Sequence, residues 1–121
     1  MIKGLGTDIC PAARWARLIE RYGEKALLRM LHPDEAQHLL AGSPQRLAER
    51  AAGRWALREA FGKALGQGLD GWSWRELRFH NGVLRAEGGL EGLLMERGIR
   101  RLHGSLSHDG GLAMAVVILE A

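Results

Sequence analysis

The spacing of apolar residues changes several times along the chain, and each change predicts a helix or a strand. Residues 2–7 alternate as in a short strand, and Asp8 is predicted to end it. Helical spacing follows at 12–22 and 24–31, and Pro33 with the two acids after it predicts the start of a third helix. The first part of the chain is therefore predicted to form one strand and three helices.

A longer helix is predicted in the middle of the chain, from Ser43-Pro44 to about residue 65, where Gly66-Gln67-Gly68 ends it. Two hairpins and a short helix make up the rest. Their order is strands 74–79 and 83–86 around Asn81-Gly82, a helix at 90–96, and strands 102–106 and 112–119 around Asp109-Gly110-Gly111. In the first strand, Gly4 and Gly6 let another backbone or a ligand approach closely.

Chain length, cysteine content and the lengths of the apolar runs indicate the class of protein. A chain of 121 residues with no linker or repeat is predicted to form one domain, residues 1–121, and its single cysteine, Cys10, excludes an internal disulfide. No apolar run approaches the roughly twenty residues of a membrane span. The N-terminus carries no signal-peptide pattern. We therefore expect a cytoplasmic protein.

Arginine dominates the 17 basic residues, which outnumber the 14 acidic ones. Arg14, Arg17 and Arg21 recur on one face of the predicted first helix, and a second stripe follows the central helix: Arg46, Arg50, Arg54 and Arg58. A base-composition bias of the genome explains an arginine excess equally well. Two uniformly positive stripes nevertheless predict two anionic partners, a nucleotide-like cofactor and an acidic protein.

Trp55, Glu59 and Lys63 follow one another at intervals of four residues, so they lie on one edge of the central helix. The plain interpretation is a Glu–Lys ion pair between successive turns. For Asp8, the plain interpretation is a cap on the helix that follows. Together, however, Asp8 and Glu59 offer two carboxylate ligands for Mg²⁺, which takes its remaining ligands from water and substrate phosphates.

Ser107 and His108 fall at the tip of the C-terminal hairpin. Neighbouring strand residues point to opposite faces, so this pair cannot act as nucleophile and base. Both side chains can donate hydrogen bonds to a phosphate, although solvated turn residues would look the same. No pair among the five histidines has metal-ligand spacing, and we do not expect a zinc site.

Three motifs in order resemble those of the holo-acyl-carrier-protein synthases, the short bacterial type of 4′-phosphopantetheinyl transferase. They are Gly6-Thr7-Asp8-Ile9, the stretch 55–68 (WALREAFGKALGQG) and Ser105-Leu106-Ser107-His108. One position departs from the family pattern, which usually has Lys where this chain has Arg58. Arg58→Lys would restore the family's residue, and we expect it to be tolerated.

The resemblance implies an α+β protein with the phosphopantetheinyl transferase fold, in which a small antiparallel sheet packs on a long central helix with short helices around it. It also implies transfer of 4′-phosphopantetheine from coenzyme A to a serine of apo-acyl carrier protein, leaving adenosine 3′,5′-bisphosphate. The family forms homotrimers that bind the cofactor between subunits.

The same resemblance implies residue roles. Asp8 and Glu59 would hold Mg²⁺, and Lys63 would act with them in catalysis. Coenzyme A would be bound by Arg54, Lys63, Gly66, Gly68, Ser107 and His108, and the acidic carrier protein by Arg14, Arg17 and Arg21.

Two other interpretations stay open at this point. A small basic domain with four tryptophans is also compatible with nucleic-acid binding through aromatic stacking. A relative of the family without activity is the other, although the presence of both Glu59 and Lys63 argues against it.

Overall fold

The computed structural model describes all of residues 1–121. The chain contains five strands and five α-helices in the order β1 (Ile2–Pro11), α1 (Ala12–Tyr22), α2 (Glu24–Met30), α3 (Pro33–Leu40), α4 (Leu47–Leu65), β2 (Leu77–His80), β3 (Val83–Ala86), α5 (Gly88–Glu96), β4 (Arg101–Asp109) and β5 (Leu112–Glu120). None of the helices combines the length and the apolar character that a membrane crossing requires.

The strands form two antiparallel sheets. The larger sheet has the order β1-β5-β4, and β2 pairs with β3 in a separate hairpin. Gly110 and Gly111 join β4 to β5, and both have positive φ angles, 57° and 79°. Two successive residues with positive φ match a two-residue type I′ turn, whose twist suits antiparallel strands.

Helix α4 lies across the larger sheet and supplies nine of the 27 buried apolar residues of the core, more than any other element. The sheet and α4 can approach each other closely because β1 has glycines on the face that contacts the helix. A Cβ atom at Gly4 or Gly6 would overlap the carbonyl oxygen of Ala64 or Ala60. The two glycines of the first strand therefore serve a close approach of another backbone, that of α4, and this approach brings Asp8 next to the helix.

The predicted α+β architecture is confirmed, with differences at some boundaries. Residues Pro44–Arg46 form a 3₁₀ turn before α4, and Trp74–Glu76 form another in place of the first half of a predicted strand. Asp8 does not end β1, because the strand continues to Pro11. The capping interpretation of Asp8 is wrong, since no side chain caps α1.

Candidate active site

Asp8 and Lys63 meet where β1 crosses the C-terminal half of α4. The ammonium nitrogen of Lys63 lies 3.1 Å from Oδ1 of Asp8 and donates to the carbonyl oxygen of Thr7 at 3.0 Å. Asp8 has a side chain only 10% exposed, whereas that of Lys63 is 56% exposed. The partner of Lys63 is thus a carboxylate on a different element, and the plain interpretation of a Glu59–Lys63 pair is wrong.

Glu59 lies beside Asp8 and is held from its own helix. The indole N–H of Trp55 donates to Oε1 of Glu59 at 2.6 Å, which confirms the predicted shared edge. Burial raises the pKa of Glu59 above its ordinary value, and the adjacent Asp8 carboxylate raises it further. Trp55 and the more distant charge of Arg14 act in the opposite direction. Two carboxylates therefore share a partly desolvated space.

This pair of carboxylates suits a divalent cation. The second oxygen of Asp8, Oδ2, is buried and has no hydrogen-bond partner. An unpaired buried oxygen beside a second carboxylate costs free energy unless a cation or water satisfies it. No third His, Cys, Asp or Glu side chain joins the pair. The donor set therefore fits Mg²⁺, which commonly takes one or two carboxylates and completes its shell with water and phosphate oxygens.

Arg54 lies on the other flank of α4, away from the carboxylates of Asp8 and Glu59. Its Nε lies 3.6 Å from Oε1 of Glu35, and its guanidinium carbon lies 5.0 Å from the centre of the Phe79 ring. Burial lowers the pKa of Arg54, and Glu35 opposes this shift. Sequence reasoning missed Glu35, whose only signal was its place in the acidic first turn of α3, where acids are ordinarily solvated.

Arg58, the position that departs from the family pattern, belongs to the core rather than to the site. Its side chain is 1% exposed, and its guanidinium pairs with both oxygens of Glu35. It also donates to the carbonyl oxygens of Trp74, Arg54 and Leu77. The planar fork of arginine thus ties α4 to α3 and to the start of β2.

Ser107 and His108 lie on opposite faces of β4, close to its end, as predicted. They pair with Met114 and Ala113 across the hairpin, and His108 packs against Gly53 of α4. Neither side chain forms a hydrogen bond within the chain, so both keep free donors. Within one chain they do not join the cluster of Asp8, Glu59 and Lys63, which α4 forms with β1 at the opposite edge of the sheet.

Gly66 and Gly68 have backbone roles in this structure. Gly66 ends α4 with a φ of 83°, in the left-handed region that favours glycine. The carbonyl oxygen of Gly68 accepts a hydrogen bond from Trp72 at 2.9 Å, and Gly62 packs directly against Gly68. Both glycines hold the segment that follows Lys63 in place.

The three arginines of α1 are exposed and form no ion pair within the chain. Arg14 differs from the other two because it is close enough to Glu59 to lower the pKa of that carboxyl group. It also lowers the pKa of Cys10, against the larger effect of burial. The stripe of Arg14, Arg17 and Arg21 therefore starts at the carboxylates and leads away from them.

The tryptophans offer little surface for stacking nucleic-acid bases. Trp15, Trp55 and Trp72 are buried. Trp74 is half-buried and stacks edge-on against Trp55 at 5.2 Å. The four tryptophans, on which the interpretation as a nucleic-acid-binding domain rested, thus belong to the core or pack against it.

Comparisons with known proteins identify the family of the chain. Residues 4–117 match the family model described as the 4′-phosphopantetheinyl transferase superfamily. The holo-acyl-carrier-protein synthase of Trichlorobacter lovleyi is 39% identical, over 100% of this chain and 99% of that protein.

Solved structures agree as well. The crystal structure of holo-acyl-carrier-protein synthase from Neisseria meningitidis has a TM-score of 0.89 and 34% identity, with full coverage of both chains. The enzyme of that name from Helicobacter pylori, in complex with coenzyme A, has a TM-score of 0.82 and 28% identity over 96% of this chain and 99% of that one. The chain belongs to the 4′-phosphopantetheinyl transferase superfamily and, within it, to the holo-acyl-carrier-protein synthases.

Proposed function

We propose that this protein transfers 4′-phosphopantetheine from coenzyme A to a serine hydroxyl of apo-acyl carrier protein, as the names of its relatives indicate for those proteins. The observation that carries the proposal is the cluster of Asp8, Glu59 and Lys63, with the buried, unpaired Oδ2 of Asp8 at its centre. A relative with coenzyme A bound supports the choice of donor.

The reaction exchanges one phosphorus–oxygen bond for another. The serine oxygen bonds to the phosphorus that carries pantetheine, and the bond from that phosphorus to the bridging oxygen breaks. The leaving group is adenosine 3′,5′-bisphosphate, and the serine proton passes to a base. Catalysis therefore needs a positioned alcohol, stabilisation of the charge on the leaving phosphate, and a proton acceptor.

The residues of the cluster suit these tasks. Asp8 and Glu59 would hold a Mg²⁺ ion, which when bound neutralises charge on the pyrophosphate oxygens. Lys63 is exposed, so its ammonium group could exchange Asp8 for the leaving phosphate and stabilise its charge. Two proton acceptors fit this arrangement, Glu59 itself and a water molecule held by the carboxylates.

The remaining ligands of coenzyme A lie outside the cluster. Arg54, Ser107 and His108 keep free donors for the nucleotide end and its 3′-phosphate. Gly66 and Gly68 shape the segment beside Lys63, where the pyrophosphate would lie. Because one chain holds these groups on two flanks of α4, a complete cleft requires a second copy of the chain.

A homotrimer supplies such copies, and the outer face of the larger sheet supports it. Four large side chains of that face, which point away from α4, are apolar and exposed: Leu5, Ile9, Leu112 and Met114. A group of exposed apolar side chains on one face of a sheet is typical of a protein interface. Light scattering after size exclusion measures the mass directly, and Leu5→Glu with Met114→Glu should yield monomers.

The exposed stripe of Arg14, Arg17 and Arg21 on α1 would dock the acidic carrier protein, close to the carboxylates. We propose that residues 1–121 act as one domain in this reaction. A cytoplasmic location stays a prediction from the sequence.

Intact mass of the carrier protein tests this function. Apo-acyl carrier protein incubated with the enzyme, coenzyme A and Mg²⁺ should gain the mass of one phosphopantetheine group on one serine. A chelator should prevent the gain. An unchanged carrier mass with several acidic carrier proteins would refute the proposed function.

A further inference from the structure

Glu35, to which the reaction scheme above assigns no role, forms the centre of a buried charged network. Its side chain is 2% exposed and faces two arginines of α4, Arg54 and Arg58. The ion pair with Arg58 is sufficient on its own to compensate the burial of the Glu35 carboxylate. The contact with Arg54 is therefore additional, and it fixes the position of a residue that lies nearer the surface.

Two contacts orient the guanidinium of Arg54. Glu35 lies 3.6 Å from its Nε, and its guanidinium carbon lies over the Phe79 ring, 5.0 Å from the ring centre. A guanidinium held by an ion pair and by an aromatic ring has little rotational freedom left. Its terminal N–H groups donate to no group of the chain, so they are free to bind a ligand in a fixed direction.

The charge balance favours an anionic ligand there. Arg50, Arg54 and Arg58 follow one another along this flank of α4, and both neighbours lower the pKa of Arg54. Glu35 is the one carboxylate that pairs with Arg54 and Arg58, and Arg50 has no acidic partner. A phosphate bound by the free edge of Arg54 would offset the excess positive charge, and arginine is suited to bidentate phosphate contacts.

We propose that Glu35 is a positioning residue, which holds Arg54 so that its free edge binds the 3′-phosphate of coenzyme A. This inference rests on the proposed function, because coenzyme A is the phosphate donor there. Glu35 acts through Arg54 and does not touch the donor. Its removal should therefore weaken the binding of donors that carry the 3′-phosphate and of no others.

The test compares coenzyme A with 3′-dephospho-coenzyme A as donors for wild type, Glu35→Gln and Phe79→Leu, with apo-acyl carrier protein as acceptor. Wild type should have a KM for coenzyme A roughly tenfold below that for the dephospho form, the scale of one charge-assisted hydrogen bond. Glu35→Gln should raise the KM for coenzyme A about tenfold and leave the KM for the dephospho form unchanged. Phe79→Leu should do the same on a smaller scale, roughly threefold.

Glu87→Gln is the matched control. Glu87 pairs with His32 at 2.9 Å and with Arg78 at 3.7 Å, and it does not contact Arg54. This variant removes one carboxylate from the same region and should keep the wild-type ratio of the two KM values. If Glu35→Gln does not fold, Phe79→Leu decides, because it leaves the buried ion pair with Arg58 intact.

The inference is overturned if both donors lose affinity equally, or if wild type does not distinguish them. A lower melting temperature with an unchanged KM ratio would also overturn it, since that result assigns Glu35 to folding alone. These outcomes differ from a failure of the proposed function, in which wild type would not modify the carrier protein with either donor.

Discussion

Arg58→Lys should destabilise the fold although it keeps the charge. The guanidinium of Arg58 places three nitrogens in three directions: Nε lies 3.0 Å from the carbonyl oxygen of Trp74, Nη1 lies 3.0 Å from that of Arg54, and Nη2 lies 2.5 Å from that of Leu77. The same fork pairs with both oxygens of Glu35. A lysine offers one nitrogen at the end of a shorter chain, so it can keep Glu35 only by giving up carbonyl oxygens.

The size of the loss follows from these contacts. The carbonyl oxygen of Trp74 also accepts the backbone N–H of Leu77, and that of Arg54 accepts a backbone N–H inside α4, so only the carbonyl oxygen of Leu77 would remain unpaired. The free energy of unfolding should therefore fall by about 1–3 kcal/mol, a large part of the stability of a small protein. The resemblance alone predicts that the change is tolerated, whereas the contacts predict the opposite.

Urea unfolding of wild type, Arg58→Lys and Arg78→Lys measures this directly. Arg78 forms its ion pairs with Asp34 and Glu87 at the half-exposed surface, so lysine there should cost less than about 1 kcal/mol. Equal free energies of unfolding for Arg58→Lys and wild type would show that the hydrogen bonds of the buried Arg58 guanidinium do not stabilise the fold.

Four further predictions concern the carboxylates and their surroundings. Because the pKa of Glu59 is raised in the folded chain, the folded state holds its proton to higher pH than the unfolded state, whose carboxyl titrates near 4.5. The free energy of unfolding without metal should therefore fall as pH rises above about 4.5, and calorimetry should show a weaker fall in Asp8→Asn. At neutral pH, Mg²⁺ at a hundredfold excess over its Kd should add about 2.7 kcal/mol to wild type and much less to Asp8→Asn; equal shifts would exclude the carboxylates as ligands. Lys63→Ala should lower kcat at least about a hundredfold while the melting temperature falls only modestly, because Lys63 itself is exposed although its partner Asp8 is not; normal turnover with a lower melting temperature would assign Lys63 to folding. Arg17→Glu should raise the KM for the carrier protein, flatten its salt dependence and spare the KM for coenzyme A, and equal damage to both constants would exclude a docking role.

The sequence was sufficient for the elements whose local signals are strong. Helix α1 has the predicted bounds, Ala12–Tyr22. The turn after Asp109 forms at Gly110-Gly111, as the Asp-Gly-Gly motif predicts. The spacing of Trp55 and Glu59 correctly placed both on one edge, where they form a hydrogen bond. Each of these features depends on residues within one turn or one hairpin.

Features that depend on tertiary packing were not accessible in the same way. Lys63 pairs with Asp8, 55 positions away, because β1 crosses α4 at Gly4 and Gly6. No local pattern distinguishes that contact from an ion pair along the helix. Glu35 has the appearance of an ordinary first-turn acid, and only the fold of α3 against α4 makes it a buried partner of two arginines.

The most direct measurement is a single-turnover assay that follows both products together. With enzyme in excess over coenzyme A, apo-acyl carrier protein and Mg²⁺ present, wild type should release adenosine 3′,5′-bisphosphate in the same amount as phosphopantetheine appears on the carrier serine. Glu59→Gln, with an unchanged circular dichroism spectrum, should form neither product on that timescale. Modification of the carrier by Glu59→Gln at the wild-type rate, or no transfer by wild type, would contradict the assignment of this site.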